Sequence, residues 1–159
     1  MNTNEFKIVF VCTDNVGRSV IGEYVLRDYL SKNNIENIDV SSAGTNASSD
    51  TTGFSMAQFG RMKELGIDAS GHKRIQLTKE IAKKANLLVI FDDSHKKWIK
   101  DTLGLNSILF NEIYKNKQSS IRCKDFATNL PMDDKMIEVT DYIYEAIPTF
   151  FKKIQKEYL

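Results

Sequence analysis

The chain has 159 residues, of which 42% are hydrophobic and 27% charged, enough apolar material for one domain spanning residues 1–159 with a core of its own. Its 22 Lys and Arg against 21 Asp and Glu leave a net charge of only +1, which removes the electrostatic case for a nucleic-acid or membrane-surface partner. No apolar run approaches the roughly 18 residues that a membrane-spanning helix needs.

Phe6 to Val11 is β-branched and aromatic and predicts a first strand, ending at Cys12. A helix is expected from Ser19 to about Lys32, where Val20, Ile21, Tyr24, Val25, Leu26 and Leu30 recur at helical spacing. Ile38 to Ser42 predicts a second strand, stopped by Ala43-Gly44-Thr45, and the polar stretch 45–53 predicts a surface loop. Phe54 to Leu65 and Thr78 to Ala85 predict helices, the second capped by Thr78. The almost wholly apolar Asn86 to Phe91 predicts a strand buried on both faces. Ser94 to Leu103 predicts a helix and Ser107 to Phe110 a fourth strand. The last element is a long helix from Asp133 to Lys156 with one apolar stripe, and Pro148 inside it predicts a kink or a break. Strands alternating with helices imply an α/β fold of three layers, a four-stranded parallel sheet with helices on both faces.

The polar start MNTNEFKIVFVC carries an apolar run too short for a secretory signal, so a cytoplasmic location is expected. Cys12 and Cys123, the two cysteines, then read as thiols, and without a Cys-x-x-Cys or a Cys/His cluster neither a metal site nor a cofactor is expected. A monomer or weak dimer is expected.

Cys12 closes a strand that should end at the carboxyl edge of the sheet, where ligands of open parallel sheets bind. The following loop, Thr13-Asp14-Asn15-Val16-Gly17, turns tightly and leads through Arg18 and Ser19 into a helix. Such a loop points successive main-chain N–H groups inward and adds the positive end of the helix, making an anion site. A cysteine at its base is stabilised as the thiolate. Arg18 offers a planar fork matching two phosphate oxygens, and Ser19 can donate a hydrogen bond to the sulfur. These parts suit attack on phosphorus through a cysteinyl-phosphate intermediate. The spacing Cys-x5-Arg-Ser by itself is equally open to a buried structural cysteine beside a surface arginine.

Beyond the spacing, the chain resembles the low-molecular-weight protein tyrosine phosphatase family, which includes thioredoxin-coupled arsenate reductases. The family's nucleophile loop V-C-x-x-N-x-C-R-S is similar to Val11 through Ser19, and its S-A-G-T to Ser42-Ala43-Gly44-Thr45. Gly66 to Lys73 resembles the family's G-I-D-x-S-G-H-x, and Gln76-Leu77-Thr78 and Val89 to Asp92 match as well. The resemblance implies phosphomonoester hydrolysis, with phosphotyrosine proteins or small phosphomonoesters as substrates. It implies Cys12 as nucleophile, Arg18 as phosphate clamp and Ser19 as thiolate stabiliser. Asn15 would hold the loop in a left-handed backbone conformation and Ser42 would bond to it, while Thr13, Asp14, Val16 and Gly17 would complete the phosphate loop. His72 would be scaffold.

Several positions depart from the family's pattern. The general acid is the Asp of a D-P-aromatic motif, and no Asp-Pro occurs here. Asp125 is the preferred candidate, because it follows an extended stretch, Ile121 to Lys124, and precedes Phe126. Asp133 and Asp134 are the alternatives, although their place beside a helix start suits a dipole-stabilising role. Gly17 stands where the family has a second cysteine, leaving oxidised Cys12 without a thiol next to it in the loop. Asp14 stands at a usual Gly. A carboxylate 4 Å from another charge feels roughly 1 kcal/mol in water, so Asp14 should point outward or weaken phosphate binding. The loop TNASSDTTG has no aromatic before Phe54, so a stacking wall for a phenyl ring is thinner than in phosphotyrosine-selective members, with Phe126 as a candidate for the second loop's aromatic. Two other functions fit the same loop: a phosphate-binding pseudophosphatase, and an arsenate reductase, which needs a cascade of further thiols where only Cys123 is left.

Overall fold

The computed structural model describes residues 4–126 and 131–159; residues 1–3, the first of the polar N-terminal stretch, and 127–130 lie outside it. Four parallel strands, β1 (Phe6–Cys12), β2 (Ile38–Gly44), β3 (Leu87–Ile90) and β4 (Ile108–Leu109), form one sheet in the order β2-β1-β3-β4. Around it lie the helices α1 (Arg18–Lys32), α2 (Ala57–Glu64), α3 (Lys79–Lys84), α4 (Asp93–Trp98), α5 (Phe110–Lys115) and α6 (Met132–Tyr158).

Strand β1 lies at the centre and shows why the sheet is covered twice. Ile8 and Phe10 face a cluster with Val20, Ile21, Ile143 and Phe150, whereas Val9 and Val11 face Leu77, Ala82 and Ile99. Alternating side chains thus enter two cores, and each fully buried one contributes about 1.5–3 kcal/mol relative to exposure. The helix side of the larger core is bound by rings: Phe110 stacks on Phe150 at 4.4 Å and on Phe91 at 5.6 Å. Among the described residues no helix is long and apolar enough to cross a membrane.

The strand order reverses between β1 and β3, which opens a crevice at the carboxyl end of β1. Both β1 and β2 run further than expected, so Cys12 itself is the last paired residue, opposite Gly44. Helix α2 starts at Ala57, three residues after the expected Phe54, and the segment after β3 is six residues of α-helix followed by a π turn, Ile99–Leu103. The fourth strand keeps only Ile108 and Leu109, and Phe110 opens the short helix α5 instead. Pro148 neither kinks α6 to a stop nor breaks it. Ile147, Phe150 and Phe151 on either side remain fully buried, and that anchoring offsets the lost main-chain hydrogen bond.

Candidate active site

Cys12, Thr13, Asp14, Val16, Gly17 and Arg18 line a cavity of about 230 Å³ together with Phe54, Gln58, Cys123, Met132 and Met136. Cys12 is 3% exposed at its base. The loop rises from the end of β1, and Gly17 immediately precedes the first turn of α1, so the helix N-terminus points into the cup. The N–H groups of Asp14, Asn15, Val16 and Gly17 donate to no protein group among the described residues. An anion is their natural partner.

Asn15 holds the loop. Its φ of 56° lies in the left-handed region, which Asn tolerates better than most residues. Every polar group of its side chain is engaged: Nδ2 donates to Ser19 Oγ and to Ser42 Oγ, both at 2.9 Å, and Oδ1 accepts from Ile75 N at 2.8 Å. Because Ser19 Oγ accepts from Asn15, its own proton is free for Cys12 Sγ, 2.9 Å away. Ser42 in turn donates to Glu23 Oε1 at 2.6 Å, and Glu23 is paired with Arg27 Nη1 at 2.8 Å. A buried carboxylate, two hydroxyls and an amide therefore run in one satisfied line to the sulfur, and such networks fix geometry. His72 Nε2 lies 3.0 Å from the Asn15 carbonyl and braces the loop from outside the cavity.

Gly44 explains why the second strand must end in glycine. A Cβ there would stand 2.6 Å from the Thr13 carbonyl oxygen and 3.0 Å from the Asn15 nitrogen. Without it the main chain comes close enough for Thr45 N to donate to the Cys12 carbonyl at 3.0 Å and Asn46 N to the Thr13 carbonyl at 2.8 Å. At Gly17 a Cβ would meet Met136 Cε at 3.3 Å, so Met136 takes up room that a side chain in the loop would need.

Arg18 lies on the cavity wall, its side chain 19% exposed. Nη1 donates to the Ile121 carbonyl at 2.9 Å and sits 3.8 Å from Asp92 Oδ2. Burial would raise Asp92, but hydrogen bonds from Ser94 and the Arg18 charge outweigh it and hold the carboxyl below its usual range. Asp92 thus stays ionised and anchors the guanidinium beside the cup.

His95, which the sequence does not single out, is buried behind Thr13, with Nε2 2.9 Å from Thr13 Oγ1. Its Nδ1 has no partner among the described residues. Burial first, and then the Arg18 charge, pull it down from 6.5 to about 4. The unfolded chain therefore takes up a proton before the folded one does. Above pH 6.5 the residue is neutral in both states, and stability falls as pH drops from about 6.5 to about 4, by about 3 kcal/mol at most. Denaturant midpoints across that window should fall more steeply for the parent protein than for His95→Asn. Equal slopes would show that His95 is protonated in the folded state.

The acid candidates stand apart from the cavity lining. Asp125 closes a 3-10 turn, Cys123–Asp125, and its Oδ2 accepts from Arg122 N at 3.0 Å and Arg122 Nε at 3.2 Å. Asp133 and Asp134 lie in the first turn of α6, where Asp133 Oδ1 accepts from Ser55 Oγ at 2.6 Å. Phe126 does not wall the cavity; its ring packs edge-on against Tyr142, 6.0 Å away. The aromatic at the cavity is Phe54, 43% exposed, joined by Met132, 53% exposed. Cys123 also lines it, its thiol 3.3 Å from the Met136 sulfur, and burial pushes that thiol up.

A cysteine, an arginine and four loop amides with no protein acceptor among the described residues thus gather at the topological switch point of a parallel α/β sheet. The model of low molecular weight phosphotyrosine protein phosphatases matches residues 7–158, and the chain belongs to that family. A low molecular weight protein-tyrosine-phosphatase, Ptp, of Acinetobacter johnsonii is 32% identical over 99 residues, 62% of this chain and 66% of that protein. A relative from Klebsiella pneumoniae is 35% identical over 94 residues, 59% of this chain and 61% of its own. In neither does the match reach two thirds of the relative's length. The arginine phosphatase YwlE from Geobacillus stearothermophilus shares the fold with a TM-score of 0.77 at 24% identity, covering 96% of this chain and 94% of that one.

Proposed function

We propose that the chain hydrolyses phosphomonoesters, phosphotyrosine in proteins foremost, through a phosphocysteine intermediate. The observation that carries this reading is the hydrogen-bonded thiol at the base of the cup, with Ser19 Oγ 2.9 Å from the sulfur and Arg18 on the wall. The Cys12 thiolate attacks phosphorus while the bond to the leaving oxygen breaks. That oxygen takes a proton from Asp125 and departs as the alcohol. The Asp125 carboxylate then removes a proton from water, whose oxygen attacks phosphorus; the S–P bond breaks, releasing phosphate and restoring the thiolate. The loop amides and Arg18 bind the equatorial oxygens throughout, where charge develops. For Asp125 to act, Arg122 must release it, a rearrangement of the kind that catalytic hydrogen bonds often undergo when substrate binds.

Phe54, Met132 and Met136 give the cavity an apolar wall that suits an aromatic ring above the phosphate. A chemistry that runs through a free thiolate belongs in a reducing compartment, and both Cys12 and Cys123 are unpaired, which supports a cytoplasmic setting. The purified protein should release phosphate from a phosphotyrosine peptide and from p-nitrophenyl phosphate at mildly acidic pH, and should release none from a phosphoarginine peptide. Phosphate binding without turnover would leave only a binding module. Turnover confined to phosphoarginine would place the chain with the arginine phosphatase whose fold it shares.

A further inference from the structure

Asp14 poses a problem for any anion bound in this cup, because its residue lines the same cavity as Cys12 and Arg18. The surrounding hydrogen bonds contain an answer. The carboxylate Oδ1 accepts from Ser49 Oγ. Ser49 Oγ accepts in turn from Arg74 Nη2 at 3.0 Å, and the Ser49 carbonyl accepts from Arg74 Nη1 at 3.0 Å. The third guanidinium nitrogen, Nε, donates to the main-chain carbonyl of Asp14 itself at 2.9 Å.

Arg74 thus grips both ends of the problem: the backbone of the loop at Asp14, and the hydroxyl that holds the Asp14 carboxylate. Its planar fork suits three fixed acceptors in a way a lysine could not match. The neighbouring Ile75 is tied down too, its N–H donating to Asn15 Oδ1 and its carbonyl accepting from Gly44 N at 2.8 Å. Arg74 is not among the residues lining the cavity, and each of its nitrogens already donates one hydrogen bond to the Asp14–Ser49 pair, which sets it behind the cup.

We propose that Arg74, acting through Ser49, is a positioning residue for the phosphate cup: it draws the Asp14 carboxylate away from the bound anion and offsets its charge. The anion affinity of a loop carrying this acidic residue is then set from the 45–53 loop and from residue 74, outside the nucleophile segment. The inference rests on the phosphate-site reading of the cavity.

The test is a double-mutant cycle on the full chain, with Arg74→Gln, Asp14→Asn and both together. Inorganic phosphate is titrated by calorimetry, and KM and kcat are measured on p-nitrophenyl phosphate. Arg74→Gln is expected to weaken phosphate binding about tenfold, or about 1.4 kcal/mol, and to raise KM in parallel with kcat nearly unchanged. Adding Asp14→Asn should restore phosphate affinity to the parent level or better, since no repelling charge is then left to release. A loss that persists undiminished in the double variant would overturn the inference, because Arg74 would then only scaffold the main chain. If Arg74→Gln fails to fold, Ser49→Ala severs the same link and the same rescue by Asp14→Asn is read there. A parent protein that binds no phosphate would remove the phosphate reading together with this one. Binding by the parent without coupling between residues 74 and 14 would remove this one alone.

Discussion

Cys12→Ser should lose turnover of p-nitrophenyl phosphate by about 10⁴-fold or more, on the scale seen when a catalytic nucleophile is deleted, while still binding inorganic phosphate. The two halves of that result have separate physical causes. A serine hydroxyl is slightly smaller than the thiol and can still hydrogen-bond toward Ser19, which sits 2.9 Å from the sulfur, so the cup should survive. What disappears is the nucleophile, because an alcohol does not ionise where a thiol does. Binding relies on the amides of Asp14 to Gly17 and on Arg18, which the substitution does not touch. Steady-state kinetics and phosphate calorimetry on one preparation check both halves. Residual activity within tenfold of the parent would assign the chemistry to another group.

Asp125→Ala should lower turnover of an alkyl phosphate by roughly 10² to 10⁴, the usual contribution of a general acid and base. The loss should be much smaller on p-nitrophenyl phosphate, whose leaving group departs without a proton. That contrast separates loss of an acid from general damage, which would slow both substrates alike. The Asp133→Ala/Asp134→Ala double variant should stay near the parent, since those carboxylates sit in the first turn of α6, and Asp133 is bonded to Ser55. The comparison is sharp because Asp125 is bound to Arg122 whereas the other pair belongs to the first turn of α6. A selective collapse of the double variant on alkyl phosphate would move the acid to the start of α6.

How much of this was legible in the sequence follows from the range of the interactions. The apolar run of β1 and the Cys-x5-Arg-Ser spacing after it are local features that put Cys12 at a strand end, and the further motifs at residues 42–45, 66–73 and 89–92 are what favour a phosphate cup over a structural cysteine. The Ser42-Ala43-Gly44-Thr45 stretch at the end of β2 is a local motif as well, and its glycine answers to a 2.6 Å approach of main chain that no side chain would permit. Helix α5 does not show in the sequence because Ser107 to Phe110 reads as a strand, and six residues are too few to show a helical period. The sequence offers Phe126 for the aromatic wall but Phe54 takes that place, because which ring reaches the cavity depends on how loop 45–53 and α6 meet, and residue order does not encode that.

The groups that tune the site were the least visible. His95 meets Thr13 across 82 positions, Arg74 meets Asp14 across 60, and Gln58 donates to the Val16 carbonyl across 42. Contacts at such separations leave no periodic trace, and each of these residues reads by itself as an ordinary helix or loop polar residue. Glu23 carries its own disguise, since a glutamate within a helix is unremarkable until its partner Ser42 and the line to Cys12 are placed beside it.

The central claim is that phosphorus is transferred to the Cys12 sulfur before it reaches water. Rapid denaturing quench of the working enzyme during turnover at alkaline pH, where the S–P bond survives, followed by mass mapping of its peptides, tests it most directly. One phosphoryl group on the peptide that contains Cys12, formed and consumed at the turnover rate and missing from Cys12→Ser, is the predicted result. Phosphate release with an unmodified Cys12 peptide at every time point, or with the phosphoryl group on another residue, would contradict it.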